Sequence, residues 1–183
     1  SADLLVSVDD DVYVKPDAIL RLFKAYQRGK GWRVVAGSVA WGEYWSEPQV
    51  RHPFGHGRPA HPGELPSFLI SALILYPRAL ALAYPWNERI RWADDKFMGT
   101  LWRCHDVALL FEPRARAVHD DEHEARVGPD PYGAKGAKWT IYVNLFDALI
   151  ANPNLLRALT YEFFGLAVGA KTYFRRPKLH GII

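Results

Sequence analysis

An α/β domain is expected from three features of this chain. Apolar runs of strand length alternate with stretches that have helical spacing. Apolar residues make up 49% of the 183 residues and charged residues 23%, enough for a sizeable core and too little charge for global disorder. The first apolar run, "LLVSV" at Leu4–Val8, stops at three consecutive aspartates, as a strand does when it delivers polar side chains to its carboxyl end.

Taken in order, Leu4–Val8 reads as a short buried strand of a parallel sheet covered on both faces. After Asp9-Asp10-Asp11, Pro16 and Asp17 open a helix whose apolar face is Ile19, Phe23 and Tyr26, broadened by Leu20 and Leu22; Gly29 and Gly31 end it. "RVVAGSVAW", 33–41, is a second strand. Residues 42–66, rich in proline, glycine and histidine, read as a long exposed loop. "SFLISALILYPRALALAY" gives a strand and then a helix after Pro77. A helix from about Ala93 to Cys104 turns Phe97, Met98 and Leu101 inward, and "VALLFEP" and "ARAVH" give two short strands. A polar loop follows to residue 136. Two helices, Lys138–Ala151 and Leu155 to about Phe174, form a C-terminal hairpin, so the chain divides into 1–136 and a helical extension, 137–183.

The totals narrow the function. A net charge of +3 and a pI near 9.0 are too mild to argue for nucleic acid. The single cysteine, Cys104, leaves no internal disulfide and fits a reducing, cytoplasmic setting. The chain starts directly on a strand, which suggests the back part of a longer protein.

Three places carry chemistry. In Asp9-Asp10-Asp11, strand alternation turns Asp9 and Asp11 to one side and Asp10 away. Two converging carboxylates suit Mg²⁺ or Mn²⁺, particularly where substrate phosphates complete the coordination; the alternative is a solvated acidic turn. In "WADDKFMG", Asp94 and Asp95 lie in the first turn of a helix. There they serve as favourable charges on the helix dipole or as a general base aimed into a cleft. His119 ends a strand, where it is either structural or a nitrogen ligand beside the carboxylates. His123 is a weaker candidate, and His52, His56 and His61 fit no zinc spacing.

The order of these motifs resembles a nucleotide-sugar glycosyltransferase of the GT-A fold, most closely the inverting family-2 enzymes. "VSVDDDVYVKPDAILRLF" is similar to their strand, DxD and following helix. "ADDKFMGTLWRCHDVALLFEPRARAVH" is similar to their acidic pair, helix, strand and histidine. "VDDDVYV" and "DDKFMG" also resemble motifs of the beta-1,3-galactosyltransferase-like families. The likeness covers about residues 1–120; the final helices resemble, more loosely, the helical tail of bacterial family-2 enzymes.

The resemblance implies a Rossmann-like mixed sheet with flanking helices and transfer of a hexose from a nucleoside-diphosphate sugar, UDP-sugar favoured, to a carbohydrate or lipid-linked hydroxyl. Asp9, with Asp10 beside it, would contact the sugar nucleotide. Asp11, Asp9 and His119 would hold Mn²⁺ or Mg²⁺, and Asp95 would be the base, with Asp94 where the family usually has Glu. Trp41, Tyr44 and Trp45 would lie by the acceptor. The base- and ribose-binding half would precede Ser1, so the chain alone would hold the nucleotide incompletely. No Gln-x-x-Arg-Trp follows the acidic pair, which argues against a processive synthase. The apolar last helix and the basic Lys171, Arg175, Arg176 and Lys178 after it would suit an anionic membrane surface at the inner face of the membrane. Two rivals share some of these features. A haloacid-dehalogenase-like phosphatase also opens on a strand and Asp-x-Asp, but Tyr13 replaces its Thr or Val and no lysine lies between Ala60 and Ala93. A non-catalytic transferase remnant that binds carbohydrate is the other.

Overall fold

The computed structural model describes residues 3–51, 57–88, 90 and 94–120. The hairpin expected over 138–174, the loop 121–136, and His52, His56 and His123 lie outside the described residues. The fold is mixed α/β: eight strands and three helices among the described residues. They are β1 (Leu4–Val8), β2 (Val12–Val14), α1 (Ala18–Gln27), β3 (Arg33–Trp41), β4 (Tyr44–Trp45), β5 (Gln49–Arg51), β6 (Gly57–Pro59), β7 (Leu73–Pro77), α2 (Arg78–Ala83), α3 (Asp94–Cys104) and β8 (Ala108–His119).

One sheet runs in the order β1-β7-β3-β8-β2, with β4 also paired to β3. Only β3 and β8 are parallel; β1 and β3 are both antiparallel to β7, and β2 is antiparallel to β8. The expectation of a buried parallel β1 is therefore corrected. Among the described residues it is an antiparallel edge strand, with Val6 and Val8 exposed. The doubly covered strand is β3, whose side chains alternate between two cores. Val35 and Val39 join Leu73, Leu75, Ala115 and Ala117 under α1, while Val34 and Ala36 join Ile74, Tyr76, Leu80, Met98 and Trp102 under α2 and α3. Trp102, one turn beyond Met98, belongs to this second core beside the expected Phe97 and Leu101.

Three further expectations change. Helix α1 buries Ala18, Leu22 and Ala25 and leaves Ile19, Leu20 and Phe23 exposed. The helix carries two apolar stripes, and the smaller side chains fit closer to the sheet. Residues 42–66 are not plain loop: β4 returns on β3, and β5 and β6 pair with each other. The return is pinned by the buried Ser46, whose Oγ accepts the Val39 N–H at 2.8 Å and whose carbonyl accepts the Ser38 hydroxyl at 3.0 Å. Finally, residues 108–119 are one strand.

That strand explains how the sheet positions the aspartates. β1 and β2 stand at opposite ends of the strand order, yet only Asp9, Asp10 and Asp11 separate them. Four virtual bonds reach about 15 Å, whereas four strand spacings in a flat sheet need about 19 Å. The sheet therefore splits. The register breaks between Gly37 and Ser38, which pair with Glu112 and Arg116, so that Pro113, Arg114 and Ala115 bulge out. β7 pairs with β3 only at Val35 and Ala36, before the break, and β2 pairs with β8 only at Ala117–His119, after it. The aspartates bridge the two halves. Among the described residues no helix is long and apolar enough to cross a membrane.

Candidate functional site

The bridge begins where β1 ends. The Asp9 N–H donates to the Ala72 carbonyl at 3.2 Å, just ahead of β7, and the Val12 N–H returns to the Asp9 carbonyl at 3.2 Å. Asp9 to Val12 is thus a β-turn. The aspartates lie in a turn and not on an extended strand, so the alternation argued from sequence does not apply, and Asp9 feels the charges of both Asp11 and Asp10. Asp9 and Asp10 are both exposed on the turn, and Asp11 is partly buried.

Beyond the turn, β2 pairs with the end of β8, with Val12 opposite His119. The Asp120 N–H closes the ladder on the Asp11 carbonyl at 2.7 Å. This register sets the His119 Nε2 3.2 Å from Asp11 Oδ2. Both side chains are largely buried, and the Trp41 ring lies tilted against the imidazole at 5.4 Å between centroids. Tyr13, noted in the sequence only as a departure from the phosphatase pattern, donates its hydroxyl to Asp120 Oδ2 at 3.3 Å beside the site. Their signal was available only as adjacency to two motifs. Trp45 lies under the Arg116 guanidinium, 4.8 Å from its ring centre, and Tyr44 is exposed.

Helix α3 supplies the remaining carboxylates. Asp94 and Asp95 occupy its first turn, and the Asp95 carboxylate accepts the Lys96 N–H at 2.7 Å. Asp94 is pushed above the ordinary aspartate range by burial, with backbone N–H groups at the helix start opposing the shift. Asp95 is pushed up to about 6, first by burial and then by the charge of Asp94, against the Lys96 N–H and ammonium. Asp9 is raised by partial burial of its carboxyl, then by Asp11, Asp94 and Asp10, while His119 pulls the other way. Asp9 feels the charge of Asp94, and Asp95 that of Asp9, so the start of α3 and the aspartate turn lie within electrostatic reach of each other. Of the residues singled out by their chemistry, His119 and Asp11 are in direct contact, and Asp9, Asp94 and Asp95 are linked to one another through their charges.

The contact that seats α3 is at Gly99. A Cβ there would lie 2.5 Å from Phe68 Cβ, 2.7 Å from Phe68 Cα and 2.9 Å from the Ser67 carbonyl oxygen. The same segment leads to Ala72, which holds Asp9, so one packing contact fixes the acidic pair relative to the turn. Gly99→Ala is expected to destabilise the fold by about 2 kcal/mol through overpacking. It should also lower the Asp95 titration midpoint, because α3 moves outward. Denaturant unfolding and carboxyl NMR titration measure the two effects; an unchanged midpoint would dissociate Gly99 from the site.

Whether the cleft suits a divalent ion can be judged from its donors. Among the described residues no three His, Cys, Asp or Glu side chains are arranged to hold a metal. The donor pair Asp11 and His119, 3.2 Å apart, has the spacing of neighbouring ligands, since bonds of about 2.1 Å at right angles end about 3 Å apart. Two side chains suffice where substrate phosphates and water fill the remaining positions, as is common for Mg²⁺. The residues fit a substrate-completed ion, not a closed structural metal centre. No protein-family model matches the chain, and no curated protein matches it.

Proposed function

We propose that this chain carries the catalytic cleft of a metal-assisted, inverting glycosyltransferase of GT-A type. It would take a nucleoside-diphosphate sugar, UDP-linked in first preference, and a carbohydrate or lipid-linked hydroxyl as acceptor. One observation supports this reading above others: the turn after β1 and the end of β8 join a carboxylate to an imidazole, and the start of α3 holds a separate, partly buried carboxylate that feels the charge of Asp9. Glycosyl transfer needs both. Asp11 and His119 would hold Mn²⁺ or Mg²⁺ with the donor diphosphate, and Asp9, with Asp10 at the rim, would contact the sugar nucleotide. A bound divalent ion supplies neutralisation of the charge that develops on the departing diphosphate.

Asp95 would take the acceptor proton as the hydroxyl attacks. A carboxyl raised to about 6 is a stronger base than an ordinary aspartate and is still largely ionised at neutral pH. Asp94, adjacent and itself raised, keeps Asp95 basic. Trp41 backs the imidazole, and Tyr44 and Trp45 offer aromatic faces to an acceptor sugar. The work would take place in the cytoplasm, at the inner face of a membrane where the acceptor is lipid-linked.

Calorimetry of UDP binding with Mn²⁺ and with a chelator tests the reading. Binding should require Mn²⁺ and weaken more than about a hundredfold in Asp11→Ala, since even outer-shell partners of a metal are worth 10- to 100-fold. Binding that ignores Mn²⁺ or survives Asp11→Ala would leave the three aspartates as a solvated acidic turn.

A further inference from the structure

The exposed stripe of α1 has no role in the cleft and differs from an ordinary helix surface. Successive residues of a helix are about 100° apart, so the outward face of α1 divides lengthwise. Ile19 and Phe23 form one edge, Leu20 the middle, and Lys24, Arg28 and Arg21 the other edge. The apolar members are well exposed: Ile19 at 49%, Leu20 at 52% and Phe23 at 38%. Beside the basic edge opens a cleft of about 280 Å³, lined by Asp17, Leu20, Arg21, Lys24, Arg28, Glu112 and Arg114. The four cations outnumber the two carboxylates. Asp17 pairs with Arg21 at 2.6 Å, and Glu112 is shared by Arg114 at 3.1 Å and Arg28 at 3.6 Å. Two positive charges remain in excess, next to three large apolar side chains.

We infer that this face of α1 docks on an anionic phospholipid surface, with lipid phosphates in the basic cleft and Ile19, Leu20 and Phe23 entering the acyl boundary. Charge complementarity selects the occupant. The cleft has the sign to take phosphate, and the apolar edge runs parallel to it on the same helix, as the headgroup and hydrocarbon layers of a leaflet do. A dissolved phosphate compound would use the cleft and leave Ile19 and Phe23 in water. The residues are the helix surface opposite the buried Ala18, Leu22 and Ala25, so changing them leaves the core intact. None belongs to the candidate catalytic cleft, and the inference stands independently of the transferase reading.

Co-sedimentation with phosphatidylcholine vesicles, with and without phosphatidylserine, tests it. The protein should bind only the phosphatidylserine vesicles, and less as salt rises. A basic residue at an anionic leaflet is worth roughly a fivefold change in affinity, so Lys24→Glu, which removes one attraction and adds a repulsion, should weaken binding about thirtyfold. The paired change Ile19→Ser with Phe23→Ser should weaken it at least about tenfold. Circular dichroism should show all variants folded. No vesicle binding overturns the inference, and so does binding that neither variant weakens, which would place the contact elsewhere. Binding lost in Lys24→Glu, kept in the serine variant and competed by inorganic phosphate would also overturn it, by marking a site for soluble phosphate.

Discussion

Asp95→Asn is expected to make the protein more stable at neutral pH and to abolish most of its transfer activity. The carboxyl titrates at 3.8 in the unfolded chain and at about 6 in the fold, chiefly because burial and Asp94 disfavour its ionised form. Below pH 3.8 both states keep the proton and the shift costs nothing. As pH rises from 4 to 6 the unfolded chain gains stability by ionising while the fold resists, and above 6 the native state bears the whole difference. That difference is about 3 kcal/mol. Asparagine has the same shape, can still accept the Lys96 N–H, and carries no charge. Its stabilising effect should thus be absent at pH 4, grow through pH 5 and level off above pH 6. Activity should fall about 10²- to 10⁴-fold, the usual worth of a positioned base, and wild-type activity should rise with pH through about 6. Calorimetric melting of the two proteins across this range measures the first claim. A variant destabilised at pH 7, or a difference that does not change with pH, would show that Asp95 is not held ionised against its surroundings. A stable but fully active variant would remove it from the chemistry alone.

The contrast between legible and illegible features follows the range of the interactions that produce them. β1, β3, β7 and α3 were readable because a run such as Leu4–Val8 or the 97–101 spacing is decided within a few residues. The choice of α1's buried face was not, since Ile19-Leu20-Phe23 and Ala18-Leu22-Ala25 both suit a helix and only the sheet beneath decides. Pro113 marked a break between two strands on the page; in the fold it sits in a bulge, the one interior place where a strand tolerates proline, and the strand continues. The site was readable as residue types but not as a place. Its assembly depends on Val12 pairing with His119 and on Ser67 and Phe68 lying against Gly99, contacts that no local pattern encodes.

The split sheet itself can be tested at Gly37, where the second large effect is expected. A Cβ at this position would lie 2.5 Å from the Ala115 carbonyl oxygen and 2.6 Å from Leu73 Cδ2. Leu73, on β7, is fully buried in the core under α1 and has little room to rotate. The Ala115 carbonyl belongs to the bulge backbone and cannot rotate away at all, so Gly37→Ala must push the second half of β8 outward. That half carries His119. The expected cost is about 3 kcal/mol, at the upper end for overpacking, with a weakening of Mn²⁺-dependent UDP binding even in the molecules that remain folded. Gly31→Ala is the matched control. Gly31 has φ 80° and nothing within 4 Å of its would-be Cβ, so only backbone strain of about 1 kcal/mol opposes the change, and binding should be untouched. Denaturant unfolding orders the two variants, and calorimetry at a temperature where both are folded separates stability from site geometry. A Gly37 variant as stable as the Gly31 variant would mean that β3 and the bulge are not pressed together. The aspartate turn would then have to close its gap by some means other than the split between Gly37 and Ser38.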